Sequence, residues 1–399
     1  MADSSSSRAI GPQVTLDGSA AQPPYLSIRA PERGFAFGQA LKWVREREGK
    51  GALRQTLELF WLSAARKFVP DEYYLLGLFR RDLGRQGLRS FVSHREGTAL
   101  NHRLNGPALT APTSLVNDKL LCGFLFEAIG LQTPRLIGHA STLFRFQTPR
   151  TLSTPEALVD LWRQPGALPC FGKPVHSSRA LGTASLVAIS DDGGIVTLGN
   201  GRQVPALPLA AEILATYGDG YLFQELLMNE ASLARAIGPT VAGVRIVTVQ
   251  SADGPKPLYA VIRMPAPGAM NDATAGGRQV RAAVDVATGR ILRVQDMYRM
   301  SIFDQQTHPE TGVTLPGLTL PDWPQAIDMV LRGHQIFAEA GIIGWDVLLT
   351  DRGPVLCEAN ANPLHLNYQR PFGRGLLNPD LRPLIDGALA FAAARRGRT

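Results

Sequence analysis

Gly344-Trp345-Asp346-Val347-Leu348-Leu349-Thr350, a turn at Asp351-Arg352-Gly353-Pro354, then Val355-Leu356-Cys357-Glu358-Ala359-Asn360 carry the strongest signal in the chain. They read as two antiparallel strands joined by a hairpin. Side chains alternate along a strand, so Glu358 and Asn360 share a face. A three-residue loop, Asp351-Arg352-Gly353, places Asp346 opposite Glu358. The three oxygen-bearing side chains then converge, with facing Cβ atoms roughly 4.5–5.5 Å apart. Val347, Leu349, Leu356 and Cys357 are apolar and root both strands in a core. Two carboxylates so close repel unless a cation lies between them. Hard oxygen donors suit Mg²⁺, which keeps several waters and shares its remaining positions with phosphates. A solvated strand face, with Asp346 capping something local, is the alternative that the pair alone leaves open.

Two lysines lie upstream. The chain has lysine only at positions 42, 50, 67, 119, 173 and 256. Lys173 ends a short strand in Phe171-Gly172-Lys173-Pro174 and is followed by a Ser- and Gly-containing loop, Val175 to Ser185. Such a loop can fold over phosphates and offer N–H and hydroxyl donors. The pattern GxxxxGK[ST] is absent, and a strand rather than a helix is expected next, so this is not a P-loop. Lys119 follows Asn117-Asp118, either of which can cap a helix over Leu120, Leu121, Phe124, Leu125 and Ala128. A surface lysine remains the plain alternative for each.

Arg245 lies inside an apolar strand, Ala242 to Val249, and Arg263 ends the next, Leu258 to Arg263. A guanidinium in that setting normally has an anionic partner. A structural salt bridge and a substrate contact are both open for it. Gln224-Glu225 ends another strand, Tyr221 to Leu227, with Glu230 shortly after. A strand that stops and turns there can present backbone groups to an adenine edge, or be only a strand end. His176 and His365 are expected to be structural.

Around these motifs the chain changes texture. Residues 1–30 are Ser-, Pro- and Gly-rich and read as a mobile tail. From Phe37 to Leu88 the spacing is helical: Leu41, Trp43 and Val44, then Leu57, Leu59, Phe60 and Leu62, then Tyr73 to Phe79. After Pro134 short apolar runs alternate with turn signals such as Asp191-Asp192-Gly193-Gly194 and Asp253-Gly254-Pro255. Helices are expected at Pro155–Arg163, Leu209–Thr216, Gln325–Ala340 and Leu381–Arg396. Antiparallel hairpins with intervening helices describe a mixed α/β (α+β) chain rather than a strict βαβ repeat.

Composition narrows the function. The chain has 399 residues, 45% apolar and 19% charged, with a formal net charge of +7. That supports two or three domains and excludes a mostly disordered chain. The basic excess is nearly all arginine, with no basic run carrying interleaved aromatics, so nucleic acid is not an expected partner. No apolar run approaches the ~18–20 residues of a membrane span. The N-terminus lacks a signal-peptide pattern, and Cys122, Cys170 and Cys357 form no CxxC pair or disulfide framework. A cytoplasmic location is expected.

In this order the pieces resemble the ATP-grasp superfamily, and more narrowly the sugar-transfer-associated ATP-grasp family, which is glutamate-ligase-like. The residues that carry the likeness are Asn117-Asp118-Lys119, Gly172-Lys173-Pro174, Gln224-Glu225, Val244-Arg245-Ile246-Val247-Thr248, Gly276-Gly277, Ile343-Gly344-Trp345-Asp346 and Gly353 to Asn360, with Glu72-Tyr73-Tyr74 in the helical front.

The resemblance implies an ATP-grasp fold: two α+β subdomains with antiparallel sheets clasping a nucleotide, behind a helical N-terminal region. The expected boundaries are 1–30 tail, 31–116 helical region, 117–227 first subdomain, 228–375 second subdomain with the metal site, and 376–399 C-terminal helix with a basic tip. By the same resemblance Lys119 and Lys173 hold the phosphates of ATP, and Ser177, Ser178 and Gly182 belong to the loop that closes over them. Glu225 and Leu227 meet adenine, and Glu230 the ribose. Asp346, Glu358 and Asn360 bind one or two Mg²⁺, for which Mn²⁺ can substitute. Arg245 stabilises the transferring phosphoryl group or the acyl phosphate, with Arg263 and Asn271 near it. The loop departs from the pattern in having a single glycine, Gly182, where relatives often have more.

The implied activity is an ATP- and Mg-dependent carboxylate–amine ligase that works through an acyl phosphate on small-molecule acids and amines, with a link to polysaccharide biosynthesis suggested by the family's name. A kinase acting on a small acceptor, or a nucleotide-binding module without catalysis, are the alternatives.

Overall fold

The computed structural model describes residues 24–26, 36–106, 115–143, 151–176, 180–265, 280–296 and 306–396. Ser177, Ser178, Asn271, Gly276 and Gly277 lie outside them. Within the stretch expected to be a tail, Leu26 is buried against the first sheet's core, and the Tyr25 and Leu26 amides donate to the Glu212 carboxylate. For these residues the expectation of a mobile tail is corrected.

The front of the chain is helical: α1 (Phe37–Glu48), α2 (Ala52–Arg66), α3 (Pro70–Leu75), α4 (Gly84–Ser90) and α5 (His94–Asn105). Pro70 opens α3, where its missing N–H costs nothing. Glu72, Tyr73 and Tyr74 organise this region. The buried Glu72 carboxylate accepts from the Val69 and His94 amides, and burial raises its pKa. The Tyr73 hydroxyl donates to Glu58 and that of Tyr74 to Gln55. Leu59 and Leu62 of α2 face the local core. Leu57 and Phe60, part of the same helical spacing, face out.

α6 (Lys119–Ala128) leads into a seven-stranded sheet ordered β2-β1-β7-β3-β4-β5-β6. Its strands are β1 (Leu136–Ala140), β2 (Thr151–Leu152), β3 (Cys170–Pro174), β4 (Ala184–Ile189), β5 (Ile195–Leu198), β6 (Gln203–Pro205) and β7 (Tyr221–Glu225). Pairing is antiparallel except between β1 and β2. Helices α7 (Pro155–Arg163) and α8 (Ala206–Thr216) bury Trp162, Leu209 and Ile213 against it.

The second sheet has six strands in the order β11-β10-β9-β8-β12-β13, all antiparallel. They are β8 (Gly243–Ser251), β9 (Gly254–Met264), β10 (Val280–Val284), β11 (Ile291–Asp296), β12 (Ile342–Thr350) and β13 (Gly353–Asn360). One face, with Val244, Ile246, Ile262, Trp345 and Val347, packs on α6, α9 (Ala231–Ile237) and α10 (Trp323–Ile336). On the other, Val247, Val249, Tyr259, Val261 and Ile342 lie under α5, α11 (Leu366–Phe372) and α12 (Arg382–Arg396). The sequence reading found neither β1, β2, β6 nor β11. Short length hides β2 and β6, and the unpatterned Gly138-His139 pair breaks the alternation of β1.

Candidate functional site

The hairpin β12–β13 reaches the expected pairing by a different route. Thr350 pairs with Gly353, so the loop is two residues rather than three. Continued without interruption, that register would set Cys357 opposite Asp346 and turn Glu358 to the other face. A bulge intervenes between Asp346 and Val347, with Cys357 as the extra residue. Asp346 therefore faces Glu358, and Gly344 faces Asn360.

What aims Asp346 is the anchoring of its neighbour. The Trp345 ring is buried on the opposite face and packs near Gly333, while its Nε1 donates to the Thr248 hydroxyl at 2.7 Å. The Ala340 carbonyl, 2.8 Å from His334 Nε2, can only accept, so Nε2 carries the proton. His334 Nδ1 then accepts from Thr248 at 2.6 Å. Burial holds this imidazole neutral, with its pKa pushed down to about 4. With Trp345 fixed inward, alternation turns Asp346 to the α5 and α11 side.

There Asp346 meets arginine. Arg245 faces it across the β8–β12 ladder and donates to both carboxylate oxygens, with 2.8 Å from Nη2 to Oδ2. Arg263 Nη2 lies 3.2 Å from Oδ1. Burial alone would raise the Asp346 pKa; the two guanidiniums outweigh it and hold it down at about 2. Burial works against the Arg245 charge as well, and Asp346 more than restores it. The salt bridge that the sequence left open for Arg245 is present, and Asp346 is its partner.

Two lysines reach this hairpin, Lys173 from the other sheet and Lys119 from the start of α6. Lys173, on β3, is buried, and its Nζ lies 3.4 Å from the Cys357 carbonyl and 3.5 Å from the Cys357 sulfur. Gly172 makes that strand possible: a Cβ there would sit 2.7 Å from the Tyr221 ring. Lys119 opens α6, which Asp118 caps through the Leu120 and Leu121 amides. Its Nζ donates to the Val175 carbonyl at 3.2 Å and stands 3.8 Å from Glu358 Oε1. Burial lowers the Lys119 pKa, Glu358 opposes that, and nearby Lys173 adds to it. Burial also pushes the Cys357 thiol up, against the pull of Lys173. Cys122 and Cys170 are buried, inert thiols with pKa near 12.

The bulge is thus the meeting point of Lys173 from the first sheet, Lys119 from the start of α6, and a carboxylate pair of the second sheet. Asn360 follows with its side-chain oxygen accepting the Asn362 amide at 2.9 Å. Among the described residues no group of three or more His, Cys, Asp and Glu side chains comes together.

Other expected site residues have definite structural partners. Glu225 Oε1 accepts from the Arg135 amide and from Arg352 at the hairpin tip, tying the two sheets. Leu227 is buried just beyond β7. Glu230 caps α9 through the Ser232 and Leu233 amides. Gly182 has φ +72°, its carbonyl accepts from the buried Tyr221 hydroxyl, and a Cβ there would run into the Tyr217 hydroxyl. Gly182→Ala is expected to cost roughly 1–3 kcal/mol in chemical denaturation, because strain and collision coincide. His365 is a structural histidine, bonded to Tyr259 and Asn101, whereas His176 Nε2 lies 3.8 Å from Asp118.

The sequence reading missed some neighbours. Arg281 pairs directly with Arg263 and therefore shares its face, bonded to Asn367. Asn101 and Asn105 of α5 clamp the ends of the hairpin by bonds to Asn362, Pro363, Ile342 and Ala361. Arg281 was visible as a charge inside an apolar strand, the signal already used for Arg245. The asparagines gave none.

No curated protein matches the chain. Among solved structures it is similar to D-alanine-D-alanine ligase from Coxiella burnetii, with TM-score 0.38 and 12% identity, covering 72% of this chain and 60% of that one. D-alanine-D-alanine ligase from Helicobacter pylori gives TM-score 0.39 and 14% identity, covering 70% and 62%. N5-carboxyaminoimidazole synthase from Aspergillus clavatus gives 0.35 and 12%, covering 63% and 45%. The chain thus spans about half to three-fifths of the length of these proteins. The sugar-transfer associated ATP-grasp model matches residues 98–382, which include every strand of both sheets. On that match, the chain belongs to the sugar-transfer associated ATP-grasp family.

Proposed function

We propose that the chain is an ADP-forming carboxylate–amine ligase that binds ATP between its two sheets. One observation carries the reading: Lys119, from the start of α6, and Lys173, from β3 of the first sheet, converge on the bulge of the second sheet, beside the Arg245–Asp346–Arg263 cluster. The side chains named there hold four basic groups against two carboxylates, Asp346 and Glu358. That balance suits a ligand with several negative oxygens, as a triphosphate has.

The donor set tests the metal. Both Asp346 oxygens already accept from Arg245, and Glu358 is the more exposed carboxylate. Few protein carboxylates plus substrate phosphates is the way Mg²⁺ is commonly held. Asp346, Glu358 and Asn360 fit a cation that arrives on the phosphates. Mg²⁺ bound there, or Mn²⁺, would neutralise charge on the phosphate oxygens.

In the reaction, a substrate carboxylate oxygen attacks the γ-phosphorus and the bond to the β-phosphate oxygen breaks, releasing ADP. An amine then attacks the acyl carbon; phosphate leaves and the nitrogen loses a proton. Lys119 and Lys173 hold phosphate oxygens while negative charge moves between them. Arg245 and Arg263, kept in place by Asp346, present guanidinium to the transferring group. The loop carrying Ser177, Ser178 and Gly182 closes over the phosphates and excludes water from the acyl phosphate. Glu225 and Leu227 border adenine, Glu230 the ribose, and Asn271 the acceptor. The acid is a sugar acid or an amino acid used in polysaccharide assembly.

An ADP-release screen over pools of carboxylates and amines, with mass detection of product, tests this. ADP, phosphate and an amide are expected. ADP with a phosphorylated acceptor and no free phosphate identifies a kinase, and no turnover with any pool identifies a binding module. Glu358→Gln is expected to raise the Mg²⁺ concentration for half-maximal turnover about 10-fold; an unchanged titration removes Glu358 from the metal site.

A further inference from the structure

The helix α2 is apolar on its outward face as well as on part of its inward one, where Leu59 and Leu62 meet the local core. Its inward face carries Gln55, fully buried with its amide donating to the Leu41 and Lys50 carbonyls, and Glu58, which accepts from Lys50, Arg54 and Tyr73. Its outward face carries Leu53, Leu57, Phe60 and Trp61, which are 76%, 61%, 74% and 55% exposed. The spacing 53, 57, 60, 61, 64, completed by Ala64, is one continuous helical stripe. Surface apolar residues are ordinary when scattered; a contiguous stripe of large ones marks a contact surface.

The charges around the stripe indicate what it contacts. From Phe37 to Val69 the exposed charged residues are the basic Lys42, Arg45, Arg47, Arg54 and Lys67 and one acid, Glu46, which pairs with Lys42. Arg54 and Lys67 stand at the two ends of the stripe. A second copy of the chain, meeting this face about a two-fold axis, would bring the same basic ends together. The stripe lies along the outward side of a single helix. Tryptophan and basic side chains bordering an apolar helix face suit the boundary between lipid headgroups and acyl chains.

We propose that the outward face of α2 docks the protein onto an anionic phospholipid surface, with the helix lying in the plane of the interface. No helix among the described residues is long and apolar enough to cross a membrane, so the contact is peripheral. It is independent of the catalytic reading, because none of these residues lies at the two-sheet site.

Vesicle co-sedimentation of the full chain tests it. Vesicles of phosphatidylcholine mixed with phosphatidylglycerol are expected to retain the protein, and phosphatidylcholine alone to retain at least ~10-fold less, with binding weakened by salt. The double variant Leu57→Ser/Phe60→Ser is expected to lose at least ~10-fold in binding with an unchanged thermal melt, since both side chains already face water. Trp61 is the most exposed of the tryptophans read by exposure. Its fluorescence should shift to the blue on mixed vesicles, and Trp61→Phe should remove that shift. Retention that the double variant leaves intact, or no retention on mixed vesicles, overturns the proposal. A dimer in sedimentation equilibrium that the double variant converts to monomer, without vesicle binding, assigns the face to a second copy and also overturns it.

Discussion

Lys173→Met is expected to leave a folded protein with ATP turnover reduced by about 10³-fold or more. The size follows from where the charge is held. The Lys173 ammonium is buried, close to the Cys357 carbonyl and near a second ammonium, Lys119, whose pKa falls partly because of it. A neutral carbonyl and a thiol are poor compensation for a buried cation, and a second cation nearby is a penalty. The free protein thus holds two like charges close together, with Glu358 beside one of them, where a polyphosphate would add anionic partners. Methionine keeps the stem's shape and removes only the charge. Stability should therefore hold or rise slightly while nucleotide affinity and turnover fall together. Calorimetric titration with a slowly hydrolysed ATP analogue separates loss of binding from loss of chemistry. Lys119→Met should behave alike but keep more activity, because Glu358 already shares its charge. A Lys173→Met protein with normal turnover would remove the phosphate role and the reading of the site with it.

Much of this site was legible because its parts are local. The alternation Gly344-Trp345-Asp346 states by itself that Trp345 and Asp346 point apart, and rarity of lysine makes Lys119 and Lys173 conspicuous. The bulge was not legible. Nothing in Val355-Leu356-Cys357-Glu358 marks an extra residue, and the expected register was reached from a loop length that the structure corrects. Partners far apart in sequence were also hidden. That Arg245 would pair with Asp346, 101 residues away, depends on β8 lying beside β12, which spacing along the chain does not encode. The outward apolar stripe of α2 was hidden for a further reason. Periodicity finds the apolar face of a helix and assumes it is the buried one, whereas here a hydrogen-bonded Gln55 and Glu58 share the inside with Leu59 and Leu62, and a second apolar stripe faces out.

The ion cluster that orders the site also makes it sensitive to acid. Asp346→Asn removes the carboxylate bonded to both Arg245 and Arg263 and leaves a buried and a half-buried guanidinium facing a neutral amide. Breaking a buried pair from one side costs about 3–5 kcal/mol, so a large fall in the unfolding midpoint is expected. The pH dependence identifies the cause. Asp346 is held at about 2 when folded, against about 3.9 in an unfolded chain. Its contribution is therefore complete above pH ~4 and is lost as pH falls from there towards 2. His334 acts in a different window. Its folded pKa is about 4, below the usual 6.5, so the unfolded chain binds a proton first and stability declines as pH falls from about 6.5 to 4. Burial holds His365 lower still, at about 3, so it adds to the His334 stage and carries it into the Asp346 stage. Stability measured by denaturant titration across this range should fall in two overlapping stages in the wild-type chain. In Asp346→Asn the upper stage should remain and the lower one should be weakened, from a lower starting stability. The double variant Arg245→Met/Asp346→Asn should recover part of the loss, because it removes the stranded charge as well as its partner. If the double variant were no more stable than Asp346→Asn alone, the pair would be incidental to the fold, and the placement of Arg245 would need another cause.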